Sequence, residues 1–441
     1  MALTYITRTP SSAGNRQKFT FSAWIKRSKI GSGQQIIGQS TESSGNDYFR
    51  IIFNTGDQLR VFSSNGGMNK ITSMKFLDTS AWYHIVCAFD STQSTASNRN
   101  RMYVNGVEQT SFATNNNVAL NTSFEFNITN ECTLGRNAYN NQNFFDGLMS
   151  HIHFIDGTQY NASAFGSVDS VTGEWQINTA PSVTYGNNGF FILKDGNSVT
   201  DQSGKNNNFS VGGSTLTKTQ DCPSNVFATM NSLYLTTNIT FSNGNNTITS
   251  SSGSWNAPAS TLAVSTGKWY AEGKVTGYNH NAVGVTSNPS GASTGYPFEI
   301  PGGYGYKFYT GGKTTQGADN VAYGNTLANN DLFSIALDLD NSKIYFGKNG
   351  TWQNSGNPTS GSTGTGAAFT LPSGETYHFV NALNVQAGGA SSQWNFGNGF
   401  FGTTAITTNS GNGYSGAEGK SKFNYQPPSG YSALSTKGLN Q

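Results

Sequence analysis

The stretch NRMYVNGVEQT, Asn100 to Thr110, reads as a strand, a two-residue Asn-Gly turn and a returning strand. Downstream, NSKIYFGKNGTWQ, Asn341 to Gln353, reads the same way. An Asn-Gly pair between alternating residues is a strong hairpin signal, because both turn residues take positive φ. Each hairpin follows an apolar strand, Trp82 to Asp90 in the first half and Asp331 to Asp338 in the second. Repeating this device once per half constrains the chain to antiparallel sheet in two places.

The surrounding sequence extends the pattern. In Lys18 to Lys26 polar and apolar residues alternate, so Phe19, Phe21, Ala23 and Ile25 share one face. Tyr48 to Phe53 and Gln58 to Phe62 flank Asn54-Thr-Gly-Asp57, a second hairpin signal. Gly147 to Ile155 closes the first series. Lys268 to Glu272, Ala282 to Val285, Lys343 to Phe346, Tyr377 to Ala382 and Gln393 to Phe396 form the second. Asn161 to Phe165 is the only stretch that reads as a helical turn. At 441 residues the chain has room for two or three domains. The expectation is an all-β protein, two antiparallel β-sandwiches in tandem, with less than about a tenth helix.

Composition narrows the function. Charged residues are 11% and aromatics 13% of the chain, with 53 Gly. That pattern suits short strands and turns with large buried rings, not disorder. A net charge of +2 without a basic block gives no support for nucleic-acid binding. No apolar run is long enough for a membrane helix, so no membrane insertion is expected. The opening MALTYITRTPSSAGNRQ lacks an apolar signal core, so cytosolic synthesis without the common export route is expected. Cys87, Cys132 and Cys222 are far apart and odd in number, which excludes a disulfide framework. Cys87 reads as a small buried hydrophobe.

The search for chemistry yields few candidates. A sandwich glycosidase needs two carboxylates in one cleft. Asp338 and Asp340 share a strand face by spacing, but they end a strand and read as a solvated strand end. Glu125 and Glu131 are too loosely placed to prefer. His151 and His153 also share a face, and read as looking outward without a third metal ligand. DGNSVTD, Asp195 to Asp201, is a loose calcium-loop pattern that reads as a turn. No catalytic residue, metal site or cofactor is therefore expected. Exposed aromatics are the remaining signal. Tyr304, Tyr306 and Phe308 share a face and read as core. Trp352, directly after a hairpin, and Tyr309, among glycines, are the candidate ligand-binding residues.

FTFSAWIKRS, WYHIVCAFD, RMYVNGV and FFDGLMSHIHFIDG together resemble a laminin-G-like, concanavalin-type module. GKWYAEGKVT, FSIALDLDNSKIYFGKNGTW and WNFGNGFF resemble a SPRY-type module. With DCPSNVFATMNSL between them and PPSGYSALSTKGL at the end, the order resembles virion structural proteins of marine tailed bacteriophages, of fibre or appendage type. The resemblance implies a laminin-G-like sandwich over residues 1–217 and a SPRY-like sandwich over 218–441, both of concanavalin-like jelly-roll type. It implies a non-enzymatic protein located on the virion and assembled in the host cytoplasm. Its implied partners are other virion proteins, further copies of itself in a homo-oligomer, and a host surface glycan. A capsule-degrading glycosidase on the same fold and a peptide-binding SPRY-type module are the alternatives. Thr4 to Thr7 either adds a strand to a neighbouring protein or opens its own sandwich.

Overall fold

The computed structural model describes residues 3–40, 48–137, 139–194, 196, 198–233, 238–251, 253–277, 280–292, 296–385, 389–407 and 413–439. Asp195 and Asn197 of the DGNSVTD stretch lie outside the described residues. The protein is nearly all-β, 45% strand and 5% helix, built as concanavalin-like jelly-roll sandwiches. It divides into two compact units, Met1–Lys218 with Cys222–Ser224, and Thr219–Asp221 with Asn225–Gln441. Among the described residues no helix is long and apolar enough to cross a membrane.

The first unit begins with β1 Thr4–Arg8, β2 Lys18–Arg27, β3 Gln34–Ser40, β4 Tyr48–Phe53, β5 Gln58–Ser63 and β6 Asn69–Lys75. It continues with β7 Trp82–Asp90, β8 Asn100–Val104, β9 Val107–Glu108, β10 Phe112–Asn116, β11 Cys132–Leu134 and β12 Gly147–Asp156. Four short strands follow: β13 Gly166–Val168, β14 Trp175–Ile177, β15 Phe190–Ile192 and β16 Ser210–Gly213. An eight-stranded sheet, β10-β6-β5-β4-β3-β11-β1-β16, packs on a six-stranded one, β15-β12-β2-β7-β8-β9. The alternation of β2 decides its inner face: Phe19, Phe21, Ala23 and Ile25 are fully buried. Phe19 touches the rings of Phe49, Phe89, Phe124, Phe126 and Phe154 at 4.7–5.9 Å. Such ring pairs add roughly 0.5–1.5 kcal/mol each beyond their buried area. Thr4–Arg8 is flanked by β11 and β16. Both its edges are used within its own sandwich, so this stretch is not an arm offered to a neighbour.

The second unit holds β17 Ile239–Ser242, β18 Thr247–Ser250, β19 Ala259–Val264, β20 Lys268–Gly277, β21 His280–Thr286 and β22 Gly303–Lys307. Next come β23 Gly312–Thr315, β24 Ala318–Ala322, β25 Leu332–Asp338, β26 Lys343–Lys348, β27 Thr351–Trp352 and β28 Phe369–Thr370. The last are β29 Tyr377–Asn384, β30 Ala390–Asn395, β31 Phe400–Phe401, β32 Thr404–Ala405 and β33 Ser432–Ala433. One sheet runs β17-β18-β30-β20-β25-β26-β27, with β28 added to β26 and β33 parallel to β20. The other runs β19-β29-β21-β22-β23-β24. Tyr306 and Phe308 are fully buried between the sheets and Tyr304 packs at the margin. Among the described residues helical structure is limited to single turns. Asn161 caps the 3₁₀ turn Ala162–Ala164 by accepting from the Ser163 amide at 3.1 Å. Pro289–Ala292 and Thr436–Leu439 are α-helical turns that the sequence pattern did not signal.

The two Asn-Gly hairpins share one geometry. Asn105 and Gly106 have φ of 47° and 81°, Asn349 and Gly350 47° and 79°. In each, the asparagine amide donates to a carbonyl of the preceding core strand and its Oδ1 accepts that residue's N–H. The partner is His84 in the first unit, at 2.9 and 2.8 Å. It is Leu332 in the second, at 2.8 Å for both. The turn asparagine thus pairs with the core strand as a further strand residue would.

An aromatic ring then lies on each turn glycine. A Cβ on Gly106 would sit 2.4 Å from Trp175 Cε3, and one on Gly350 2.7 Å from Tyr425 Cδ1. Both rings belong to segments that cover the outer face of the hairpin's sheet. In the first unit Tyr160, Phe165, Trp175, Val183 and Tyr185 cover Val86, Ala88, Tyr103 and Ile155. In the second, Phe423, Tyr431 and Ala433 cover Tyr270, Ala336 and Tyr345. Under the second cover lies Glu272, fully buried. Its carboxylate accepts from Asn395 Nδ2 at 3.0 Å, the Asn424 amide at 2.6 Å, the Tyr425 amide at 3.3 Å and Tyr270 OH at 3.2 Å. Burial outweighs these bonds and raises its pKa from 4.5 to about 7.

Two outcomes follow. Gly106→Ala and Gly350→Ala each force a side chain into left-handed backbone and into a ring, and should destabilise their own unit by about 2 kcal/mol or more. Thermal or urea unfolding measures this; a loss below about 0.5 kcal/mol in both refutes the clamp. Folded Glu272 holds its proton more tightly than the unfolded chain does. Its stability contribution is therefore fully present below pH 4.5 and is lost as pH rises through about 7. The second unit should weaken by an amount on the order of 3 kcal/mol across that window. Glu272→Gln should flatten the dependence, and an unchanged slope in the folded variant argues against this assignment.

Candidate functional site

Tyr309 lies in the loop after β22, on the outer side of the six-stranded sheet of the second unit. Its ring stacks on His280 at 4.1 Å and 19°. His280, the first residue of β21, stacks in turn on Trp255 at 6.4 Å and 23°. Trp255 comes from the loop between β18 and β19 and touches Tyr296 at 4.3 Å. Three half-buried rings thus form a row with nearly parallel planes. Beneath it Tyr296 and Phe298 pack on Ala257, Ala259, Ala282, Val380 and Ala382, which fixes the row on rigid strands.

One cation serves this row. Lys307 is nearly buried, and its Nζ lies 5.1 Å from the Tyr296 ring centre and 5.8 Å from that of Tyr309. It forms an ion pair with Asp319 of β24. Asp319 also accepts from Thr314 Oγ1 at 2.8 Å, and its pKa is lowered by Lys307 and Thr314 against the opposing effect of burial. Half-exposed rings beside a fixed lysine and carboxylate can stack the C–H faces of a sugar and bond its hydroxyls.

Trp352 sits on the other sheet, in β27, so the structure does not bring it together with Tyr309. It packs edge-on against Tyr270 at 6.3 Å and 79° and is half-buried in the cover of the nine-stranded sheet. Asp338 and Asp340 do not form an exposed carboxylate pair. Asp338 is fully buried, not solvated: it accepts from the Asn341 amide at 3.0 Å and Asn341 Nδ2 at 2.9 Å, with Lys268 Nζ at 3.4 Å. It caps its own turn. Asp340 is exposed and accepts from the Gly267 amide at 2.8 Å. Glu125 and Glu131 pair with Arg16 and Arg136 at 3.0 and 2.9 Å.

The outward reading of His151 and His153 is corrected. The β12–β2 register shifts between Ser150 and His153, and His151 has φ 46°, so the alternation breaks at a bulge. Both histidines are buried, His153 at 2% exposure under the covering segment. Its ring stacks on Phe191 at 4.0 Å and its Nδ1 lies 2.9 Å from Tyr185 OH. Burial lowers its pKa well below the usual value. His84, which sequence reasoning passed over, is sandwiched between Trp24 at 4.9 Å and Trp175 at 5.9 Å. It accepts from Trp175 Nε1 at Nδ1 and pairs with Ser22 Oγ at Nε2, both at 2.9 Å. Burial lowers its pKa to about 3, so it is a neutral structural link. Cys87 and Cys132 are buried thiols, and burial raises Cys132 to about 12. Among the described residues no group of three or more His, Cys, Asp or Glu is arranged to hold a metal.

Residues 4–158 match the concanavalin A-like lectin/glucanases superfamily. No curated protein matches the chain in sequence. Among solved structures, the SPRY domain of human HERC1 is 17% identical, covering 35% of this chain and 91% of that one, with a TM-score of 0.28. A putative carbohydrate binding protein from Bacteroides ovatus is 16% identical over 49% of this chain and 57% of that one, with a TM-score of 0.32. A heptameric SAP-like pentraxin from Limulus polyphemus is 13% identical over 48% and 90%, with a TM-score of 0.30.

Proposed function

We propose that this chain is a non-enzymatic recognition protein that binds saccharide on the aromatic row of its second unit. We place it, as a fibre-type or appendage protein, on the particle of a tailed bacteriophage, facing a host surface glycan. The row Trp255, His280 and Tyr309 carries the binding reading. It is a rigid, half-exposed ring surface with a fixed lysine and carboxylate beside it. The lectin-type match of residues 4–158 agrees with a recognition role. The virion placement rests on the ordered motif set alone. The glycosidase alternative loses support because Asp338 is a buried turn cap and Asp340 accepts from the Gly267 amide.

A single aromatic site is weak, since polar ligands bury little apolar area. Several copies on one particle gain roughly 10² to 10⁴ in avidity. Homo-oligomers held together directly or by other virion proteins belong to this reading.

The test is binding of purified protein to an array of bacterial surface polysaccharides. Tyr309→Ala and Trp255→Ala should each weaken binding about tenfold, the effect of losing roughly 1.4 kcal/mol. Retained affinity in both folded variants overturns the site. Release of reducing ends from a bound polysaccharide overturns the non-enzymatic reading. Gold-labelled antibody that fails to decorate particles overturns the virion placement.

A further inference from the structure

We infer that the first unit holds a separate site, on the outer face of its eight-stranded sheet, for the oxyanion of an acidic saccharide. Its centre is Arg50 of β4 and Gln35 of β3, which line one groove, with Arg60 of β5 on the neighbouring strand beside Arg50. The inference goes beyond the aromatic row and uses none of its residues.

The first observation is a pair of arginines that form no ion pair among the described residues. Arg50 lies over the Tyr48 ring at 3.9 Å and Arg60 over the Phe62 ring at 4.7 Å. The two rings stack on each other at 5.0 Å and 26°. Stacking fixes each guanidinium plane and leaves its N–H edge for a ligand. Arg60 spends one donor, Nε, on Asn69 Oδ1 at 2.9 Å. Among the described residues neither arginine forms an ion pair. The charged group that acts most on Arg60 is Arg50 itself, after burial. Arg136, on the same unit, shows the contrast: it lies 3.7 Å over Tyr5 and is paired with Glu131 at 2.9 Å. Holding two like charges side by side is unfavourable without an anion.

The second observation is a buried acceptor left unbonded. Gln35 is 2% exposed, and its Oε1 has no hydrogen-bond partner among the described residues. The register shift between Gln35 and Ile37 in the β3–β4 pairing turns this side chain out of the strict alternation. Gly38 makes room for it, since a Cβ there would lie 2.4 Å from Gln35 Nε2. Gln35, Gly38, Tyr48, Arg50 and Asn137 line one shallow groove. An unbonded buried amide oxygen costs about 1–3 kcal/mol, a cost that a ligand donor relieves once the Gln35 amide turns toward the groove. A ligand with hydroxyl donors and an oxyanion matches both observations. That is an acidic saccharide, and a planar guanidinium fork accepts its carboxylate or its sulfate.

The experiment titrates the full chain with a galacturonate oligomer, a sulfated galactan oligomer and a neutral galactan oligomer, by calorimetry at low and moderate salt. Binding of at least one acidic probe, at least tenfold tighter than the neutral one, is expected. Arg50→Gln with Arg60→Gln should weaken it about tenfold or more. Arg50→Lys with Arg60→Lys, which keeps the charge and loses the fork, should also weaken it and serves where the first pair fails to fold. Gln35→Leu should weaken it at unchanged net charge. Tyr309→Ala should leave it unchanged. The preferred acidic probe shows whether carboxylate or sulfate is the recognised group. Failure to bind either acidic probe, or equal binding of the neutral one, overturns the site. So does a Gln35→Leu variant that binds normally while the arginine variants do not, because that is charge attraction alone. Loss in Tyr309→Ala with retention in the arginine variants also overturns it, while favouring the aromatic row.

Discussion

A β-strand has two faces, and a two-sheet sandwich hides only the inner one of each sheet. Both units meet this constraint in the same way. The sheet with the core strand is covered from outside by a later segment of the same chain, and the other keeps an exposed part, which in the second unit lies above Tyr296 and Phe298. The covered sheet is in each case the one that contains the Asn-Gly hairpin. Trp175 lands on Gly106 and Tyr425 on Gly350, contacts that any side chain on the glycine would block. The hairpin is therefore more than a reversal of direction. It closes the edge of the core strand through asparagine and offers a bare backbone on which the cover can rest.

Covering a sheet buries polar groups, and under each cover one titratable group is held by bonds to the covering segment. Under the first cover His84 links Trp175 to Ser22 in neutral form. Under the second, Glu272 gathers two backbone amides of the covering segment and one asparagine. Each device ties the cover to the sheet at one point through groups that water would otherwise hold. Removing a partner in such a place leaves a buried group unsatisfied, which is why these contacts matter more than their net strength suggests.

The fold was legible because its signals are local. Alternation in Lys18 to Lys26 put Phe19, Phe21, Ala23 and Ile25 in the core, and both Asn-Gly turns were visible from two residues. The outer layers were not legible. Nothing near Ser22 or Trp24 announces that Tyr160 to Tyr185 will cover them. The same cause misplaced His153, and a different one misplaced Asp338. His153 is buried by a distant segment after a one-residue bulge. Asp338 is buried by its own turn and by Lys268. Tyr309 was visible among glycines, but its partners His280 and Trp255 come from a strand end and a loop elsewhere in the chain and share no spacing with it. The pair Arg50 and Arg60 could have been found by alternation, since Tyr48, Arg50, Arg60 and Phe62 fall on the polar sides of two strands joined by a hairpin.

Open faces differ from covered ones in what selection can do with them. A side chain in the Phe19 cluster or beneath the Tyr425 segment is fixed by dense packing, where losing a ring costs roughly 3–5 kcal/mol. A half-buried residue on an open face usually moves stability by less than about 0.5 kcal/mol. The open sheets can therefore change their side chains without endangering the fold. In this chain the two open faces carry different chemistry. One has stacked rings with a neutralised lysine. The other has two arginines and an unbonded amide oxygen. The first combination suits ligand surfaces rich in C–H groups, and the second suits oxyanions that carry hydroxyls nearby. Each unit thus keeps one surface on which specificity can be written.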